Sequence, residues 1–334
     1  MPVWKQNPWQ TALIGGATLI LIWLIFAIWP EWLVDILGRK KTFVNTLLNG
    51  LTLAGLYFLV ASGFTLIFGL MRNVNLAHGS MYLLGGYLGY EVAEASGNWI
   101  WGAAAAFMAL ALIGATLQVT VFRRMQGDDL RQTLVTIGIS IIAADLMLAS
   151  WGGTTYQFEP PEALFGAVEL PIISTLRSSG EAVYIKYPFY RLFVLMVAVA
   201  TGMGLWLFLN KTKIGMMIRA GVDDRSMLAA SGVNVNRIFV FVFAIGAGLA
   251  GLAGVIGGTA LSIAPGEDVR YLLASLVVVI VGGMGSITGA AIGALLIGMA
   301  EQFGLAYFPT YGVVLTFVIM IAALAIRPQG IMGR

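Results

Sequence analysis

The chain contains no cysteine and a single histidine among 334 residues. Disulfides and thiolate metal sites are thereby excluded, a centre of several histidines is impossible, and the redox compartment leaves no trace in the sequence. Charge is also scarce: Asp, Glu, Lys and Arg make up 10% of residues, where a soluble domain carries about a quarter. Apolar residues take that place, with 59% of the chain hydrophobic and a mean hydropathy of +0.89. Water is not the main solvent of such a sequence. The net charge of +3 does not point to nucleic acid, because the basic residues sit in short loops between apolar runs, where membrane topology accounts for them.

A helix needs roughly 20 apolar residues to cross the hydrocarbon core. Apolar runs lie near 43–70, 76–95, 99–122, 133–150, 189–209, 239–260 and 311–326, with a further stretch at 271–303 interrupted by glycine. One more run, Thr11 to Trp29, has no small-residue cleavage site and exceeds the roughly 7–15 residues of a signal-peptide core, so a retained helix is expected. The predicted fold class is all-α: a polytopic integral membrane protein of about eight transmembrane helices plus a glycine-broken re-entrant hairpin. Its two expected parts are an N-terminal extra helix and connector at 1–42 and a membrane domain at 43–334. The many glycines suit close helix packing, and Gly246, Ala250, Gly254 and Gly258 recur every four positions, which predicts one tightly packed face.

Charge orients the bundle. The loop at 210–238 holds Lys211, Lys213, Arg219, Arg225 and Arg237 against Asp223 and Asp224, which puts it in the cytoplasm. The loop at 151–188, with Glu159, Glu162, Glu169 and Glu181 against Arg177 and Lys186, then lies outside, and Arg123, Arg124 and Arg131 fall inside. If Arg327 is cytoplasmic, 271–303 enters and leaves on the outer side. Leu272 to Val281 is too short to span, and the Gly282-Gly283-Met284-Gly285-Ser286 that follows turns easily. Non-helical backbone at membrane depth survives only inside protein or beside water, so this segment is expected to line a translocation pathway. The same count puts Arg39, Lys40 and Lys41 outside, against the charge rule. Either the first helix is an appended element or 43–95 conceals a second broken helix. An echo favours the latter: Gly79-Ser80 precedes Gly85, Gly86 and Gly89 much as Gly285-Ser286 precedes Gly289, Gly293 and Gly298.

Within the cytoplasmic loop, Asp223 and Asp224 suit a helix N-terminus, Met227 to Ala230 form helix readily, and Gly232 suits the left-handed position past a helix end. A short capped helix over about 223–231 is predicted, with Met227 and Leu228 on an apolar face and Arg219 and Arg225 flanking it. That is either a docking surface for a soluble partner or an ordinary solvated loop helix.

Here the sequence resembles a known family. The arrangement Arg219-Ala220, Asp224, Met227, Gly232 is similar to the coupling loop of the permease subunits of branched-chain amino acid ABC importers. NGLTLAGLYFLVASGFTLIFGL at 49–70, NVNLAHGS at 73–80, VVVIVGGMGSITGAAIGALLIGMAEQ at 277–302 and RPQGIMG at 327–333 follow in the family's order, covering about 43–334. The resemblance implies half of a pathway shared with a second related permease, two cytoplasmic ATPase subunits and a periplasmic solute-binding protein, in the bacterial inner membrane. The chain has no GxxxxGK[ST] phosphate loop, so ATP is expected to be used by partner subunits, with no cofactor, metal or catalytic residue here. Branched-chain amino acids are the default solute, with other amino acids, amides, urea and small aromatic acids as alternatives.

Asn73, Asn75, His78 and Ser80 join the candidate pathway, since polar groups at membrane depth must pair or line a cavity. A bland alternative for His78 is a buried ring satisfied by a backbone carbonyl. The related permeases often carry an acid where Ser80 stands, and Asp145 interrupts a span that usually holds a neutral residue. Asp145 is read as lying near the outer end of its helix, and Glu301 as reaching interfacial water. Two other functions compete. A self-sufficient secondary transporter or channel would also use broken helices but usually needs intramembrane charges, and an intramembrane enzyme would need a nucleophile with its base or a metal site.

Overall fold

The computed structural model describes residues 40–71, 73–176 and 182–333. The helix expected at 11–29, Arg39, Arg177 and Glu181 lie outside them. The chain divides into two compact units, 1–48 with 169–187, and 49–168 with 188–334. In the described part of the first unit, a two-stranded sheet pairs β1 (Ala167–Leu176) with β2 (Ala182–Pro188), and Lys186 meets Glu169 at 2.9 Å on its exposed surface. The all-α expectation is corrected here. Runs of Val, Ile, Thr and Tyr in the loop at 151–188 favour extended chain.

The second unit is helical. Its elements are α1 (Lys40–Met71, entering from the first unit), α2 (His78–Ser96), α3 (Trp99–Thr120), α4 (Asp129–Trp151), α5 (Phe189–Lys211), α6 (Lys213–Asp223), α7 (Arg225–Ala230), α8 (Val235–Ala260), α9 (Glu267–Gly282), α10 (Ile287–Tyr307) and α11 (Gly312–Ile326). Among the described residues six helices are long and apolar enough to cross a membrane: α1, α3, α4, α5, α8 and α10. The half-buried sides differ in kind from those of a soluble bundle. Leu130, Leu134, Ile141, Ile142 and Leu146 are exposed along α4, the pattern of a helix whose outer face meets lipid or another membrane chain.

Helices α1 and α8 form the core. The side chains of Leu56, Tyr57, Leu59 and Val60 on α1 are almost fully buried. The face predicted at Gly246, Ala250, Gly254 and Gly258 is buried as expected. A methyl group on Gly254 would stand 2.0 Å from Tyr82 O, so α2 and α8 touch backbone to backbone there. Dispersion between closely packed backbones replaces the hydrophobic drive that lipid cannot supply.

The stretch 271–303 holds two helices joined by the glycine turn, both longer than the apolar run suggests. Helix α9 begins four residues earlier, at Glu267, and α10 runs for 21 residues and is a candidate span on its own. The missing length was concealed by Glu267, Asp268 and Arg270, which break the apolar run without breaking the helix.

Helix α2 starts well inside the bundle. His78 Nε2 lies 3.0 Å from Val60 O, and Val60 precedes the end of α1 by eleven residues, or about 16 Å of helix. Helix α9 starts beside it, with Ser80 Oγ 3.5 Å from Asp268 Oδ2. From there the two diverge: Glu91 on α2 accepts from Trp151 at the end of α4, whereas Gly285, just past α9, lies against Gly69 near the end of α1. α1 itself is continuous, so the irregular backbone in 43–95 is the connector at 73–77.

Candidate functional site

The connector is held by side chains. Asn73 donates to Gln132 and accepts from Thr133, Leu76 N donates to Thr136 Oγ1 at 3.1 Å, and Asn75 Oδ1 accepts from Ala77 N at 3.1 Å. The last two satisfy backbone N–H groups that a helix would otherwise satisfy, and the first two tie the connector to α4 through side chains. His78 is fully buried, bonded to the Val60 carbonyl and edge-on to Phe64 at 5.4 Å. That is the bland alternative weighed for it. Ser80 faces Ser140 at 2.8 Å as well as Asp268. Asp268, across from Ser80 on α9, is buried.

A polar cavity of about 330 Å3 opens at the start of α9. Arg191 from α5, Glu267 and Arg270 from α9, Asn49 and Thr52 from α1 and Gln302 from α10 line it, with Leu53 and Leu56 on one wall. Glu301 lies behind Arg270. It was expected to reach interfacial water but is buried, accepting from Tyr57 Oη at 2.5 Å and facing Arg270 Nη2 at 3.5 Å. Arg270 Nη1 is also 3.5 Å from Glu267. Tyr57 in turn packs edge-on against Tyr271. Sequence reasoning passed over Arg270, Glu267 and Asp268. Their signal was available: three charges at the start of an apolar run, next to Pro265-Gly266.

The glycine turn expected to line the pathway packs closely against the C-terminal segment. Ile331 N and Met332 N donate to Val281 O and Gly282 O at 2.9 Å, so the C-terminal segment lies along the end of α9. Gly283 has φ +105, and a methyl group there would strike the Gly333 amide. Ser286 caps α10 by accepting from Gly289 N at 3.0 Å. Gly282, Gly283, Gly285 and Ser286 are therefore brought together, but at the far end of α9 from the cavity.

On the loop at 210–238 the predicted single helix is two. Asp223 closes α6, the backbone extends at Asp224, and Asp224 caps α7 by accepting from Ser226 N at 2.8 Å and Met227 N at 3.1 Å. The hydrogen bond from the Ser226 hydroxyl, then that from Met227 N, holds the exposed Asp224 carboxyl below its ordinary value. Gly232 follows the helix at φ +84, the left-handed position expected of it. The apolar face is narrower than expected: Met227 is 73% exposed, but Leu228 is buried against Gly221. Arg219 bonds Asn210 at 2.9 Å, with Ala220 exposed beside it. Arg225 points the other way, donating to Leu70 O at 2.6 Å and covering the ring of Phe239. Asp145 is exposed, six residues before the end of α4.

Residues 46–324 match the family described as the permease component of branched-chain amino acid transport systems. The chain is 30% identical over 307 residues to the high-affinity branched-chain amino acid transport system permease protein BraD of Pseudomonas aeruginosa, covering 87% of this chain and 96% of that protein. Its identity to the corresponding protein LivH of Escherichia coli K12 is 27% over 304 residues, again covering 87% and 96%. The ribose import permease protein RbsC of Escherichia coli K12 is 26% identical over 302 residues, covering 88% of this chain and 84% of that one. No solved structure matches the chain.

Proposed function

Since this chain belongs to the family of branched-chain amino acid transport permease components, we propose that it is the transmembrane permease subunit of an ATP-binding-cassette importer, forming half of the path for a branched-chain amino acid or related small solute. Two cytoplasmic ATPase subunits, a second related permease and a periplasmic solute-binding protein complete the assembly in the bacterial inner membrane. The permease domain is 43–334, preceded by an extra helix and connector at 1–42. It has about eight transmembrane helices with α9 and α10 as a hairpin entered from outside, and the C-terminus is cytoplasmic.

One observation carries this reading over a self-sufficient carrier: the exposed α6–α7 element is tied by Arg225 to the last turn of α1, and the same helix lines the polar cavity at Asn49 and Thr52. A carrier without a soluble motor has no use for such a handle. The ATPase seats on Met227, Ala220 and the carboxylates of Asp223 and Asp224. Its closure moves α7, Arg225 draws the end of α1 with it, and the helix shifts as one rod against α9 and α10. Bistable packing of that kind converts a small displacement into alternating access. The connector at 73–77, resting on α4, and the Gly282–Ser286 turn, resting on α1 and the C-terminal segment, act as hinges beside the path.

Co-purification in mild detergent tests the reading. ATPase subunits remain bound to the native chain, whereas Gly232→Pro, which forbids φ +84, and Arg219→Glu release them and abolish ATP-driven uptake. Unchanged uptake in both variants would remove the handle from the mechanism.

A further inference from the structure

The charged cavity at the start of α9 answers a question the family likeness leaves open, because relatives of this chain are named for solutes as different as amino acids and ribose. Its volume of about 330 Å3 lies in the range of small-molecule sites. The Arg270 side chain is 47% exposed and is braced from behind by Glu301, which Tyr57 fixes in turn. Both carboxylate contacts of Arg270 are 3.5 Å long, whereas a closed charge-assisted bond measures about 2.7–2.9 Å. The guanidinium is therefore positioned without being closed off, and its planar fork of donors matches a carboxylate. Glu267 sits one helical turn away on the same face and offers acceptors to a cation.

Charge balance narrows the ligand. Arg191 and Arg270 stand against Glu267 and Glu301. A solute with net charge would leave one charge uncompensated in a confined space, while a solute carrying one charge of each sign would not. Leu261, exposed at the end of α8, gives an aliphatic side chain an apolar wall. We propose that this cavity is a solute station that takes an α-amino acid as its zwitterion, with the carboxylate on Arg270, the ammonium on Glu267, and Glu301 and Tyr57 as positioning residues. The solute's identity as cargo rests on the importer reading.

The natural chain has no cysteine, so Gln302→Cys gives it a single reporter on the cavity wall. In the assembled importer without binding protein or ATP, saturating L-leucine slows modification of that cysteine by a small thiol reagent at least five-fold. Leucinamide, without the carboxylate, and 4-methylpentanoate, without the ammonium, slow it less than two-fold. Equal protection by either analogue, or none by leucine, overturns the proposal. Added to the reporter, Arg270→Lys keeps the charge beside Glu301 but loses the fork, and raises the half-protecting leucine concentration about ten-fold; Glu267→Gln raises it similarly. Values within two-fold of the parent in both variants would reduce Arg270 and Glu267 to a structural pair. ATP-driven leucine uptake without leucine protection would sink this site and spare the importer, whereas selective protection without ATP-driven uptake would do the reverse.

Discussion

Tyr57 on α1 and Glu301 on α10 are 244 residues apart in sequence, and their side chains share a 2.5 Å hydrogen bond inside the bundle. A buried carboxylate is costly unless its oxygens are satisfied, and Arg270 at 3.5 Å is its other partner. Tyr57→Phe removes the donor while keeping the ring, and is expected to destabilise by about 1–3 kcal/mol, read as a lower unfolding temperature of the detergent-solubilised importer. Glu301→Gln, neutral and still able to accept from Tyr57, is expected to cost less.

Arg225 links the α6–α7 element to α1 through the Leu70 carbonyl. With Arg225→Ala the importer is expected to assemble with its ATPase and hydrolyse ATP while uptake falls at least ten-fold. Parallel assays of phosphate release and leucine uptake check this. Uptake and hydrolysis falling together would instead mean that Arg225 serves assembly.

Close helix contacts set a third expectation. A methyl group at Gly85 would lie 2.2 Å from the Gly251 Cα, against backbone that cannot yield, while one at Gly153 meets nothing within 4 Å. Gly85→Val is expected to cost more than about 3 kcal/mol or to prevent insertion of folded protein, and Gly153→Ala to stay within about 0.5 kcal/mol. Thermal unfolding monitored by gel filtration compares them.

The Asp224 cap fixes the sign of a pH effect. Its carboxyl is held below the ordinary value by Ser226 and Met227, so its contribution is complete above about pH 4 and is lost as pH falls through the lowered value. ATPase docking is therefore expected to be insensitive to this group between about pH 5 and 8, where the carboxylate stays ionised. Asp224→Asn, which still caps, should dock within two-fold of native at pH 7, and Asp224→Ala more weakly, as measured by surface-immobilised ATPase binding.

Much of the fold was legible because hydrophobic runs and glycine spacing are local signals. The ends of α3, α5, α8 and α11 fall within a few residues of the expected runs, and Gly232 takes its expected backbone. The break between α6 and α7 was not legible, since two adjacent aspartates both suit a cap and only backbone geometry selects Asp224. Helix α9 was clipped because Glu267, Asp268 and Arg270 read as loop until their partners on α1, α2 and α10 are known. The candidate site shared that fate: Arg270 is informative through Glu301 and Tyr57, which are distant in the chain. Asn73, Asn75 and His78 were expected to line the pathway, and all three are buried, but whether a buried amide lines a path or ties a connector depends on neighbours such as Gln132 and Thr133, across from Asn73.

Transport itself is the most direct test. The permease, its partner permease and the two ATPases are reconstituted in vesicles with binding protein and labelled leucine on the side the binding protein serves, and accumulation is followed with and without ATP on the other side. An importer subunit of this kind accumulates leucine only with ATP and all components present. Accumulation by this chain alone, without ATP, would contradict that and mark it as a self-sufficient carrier.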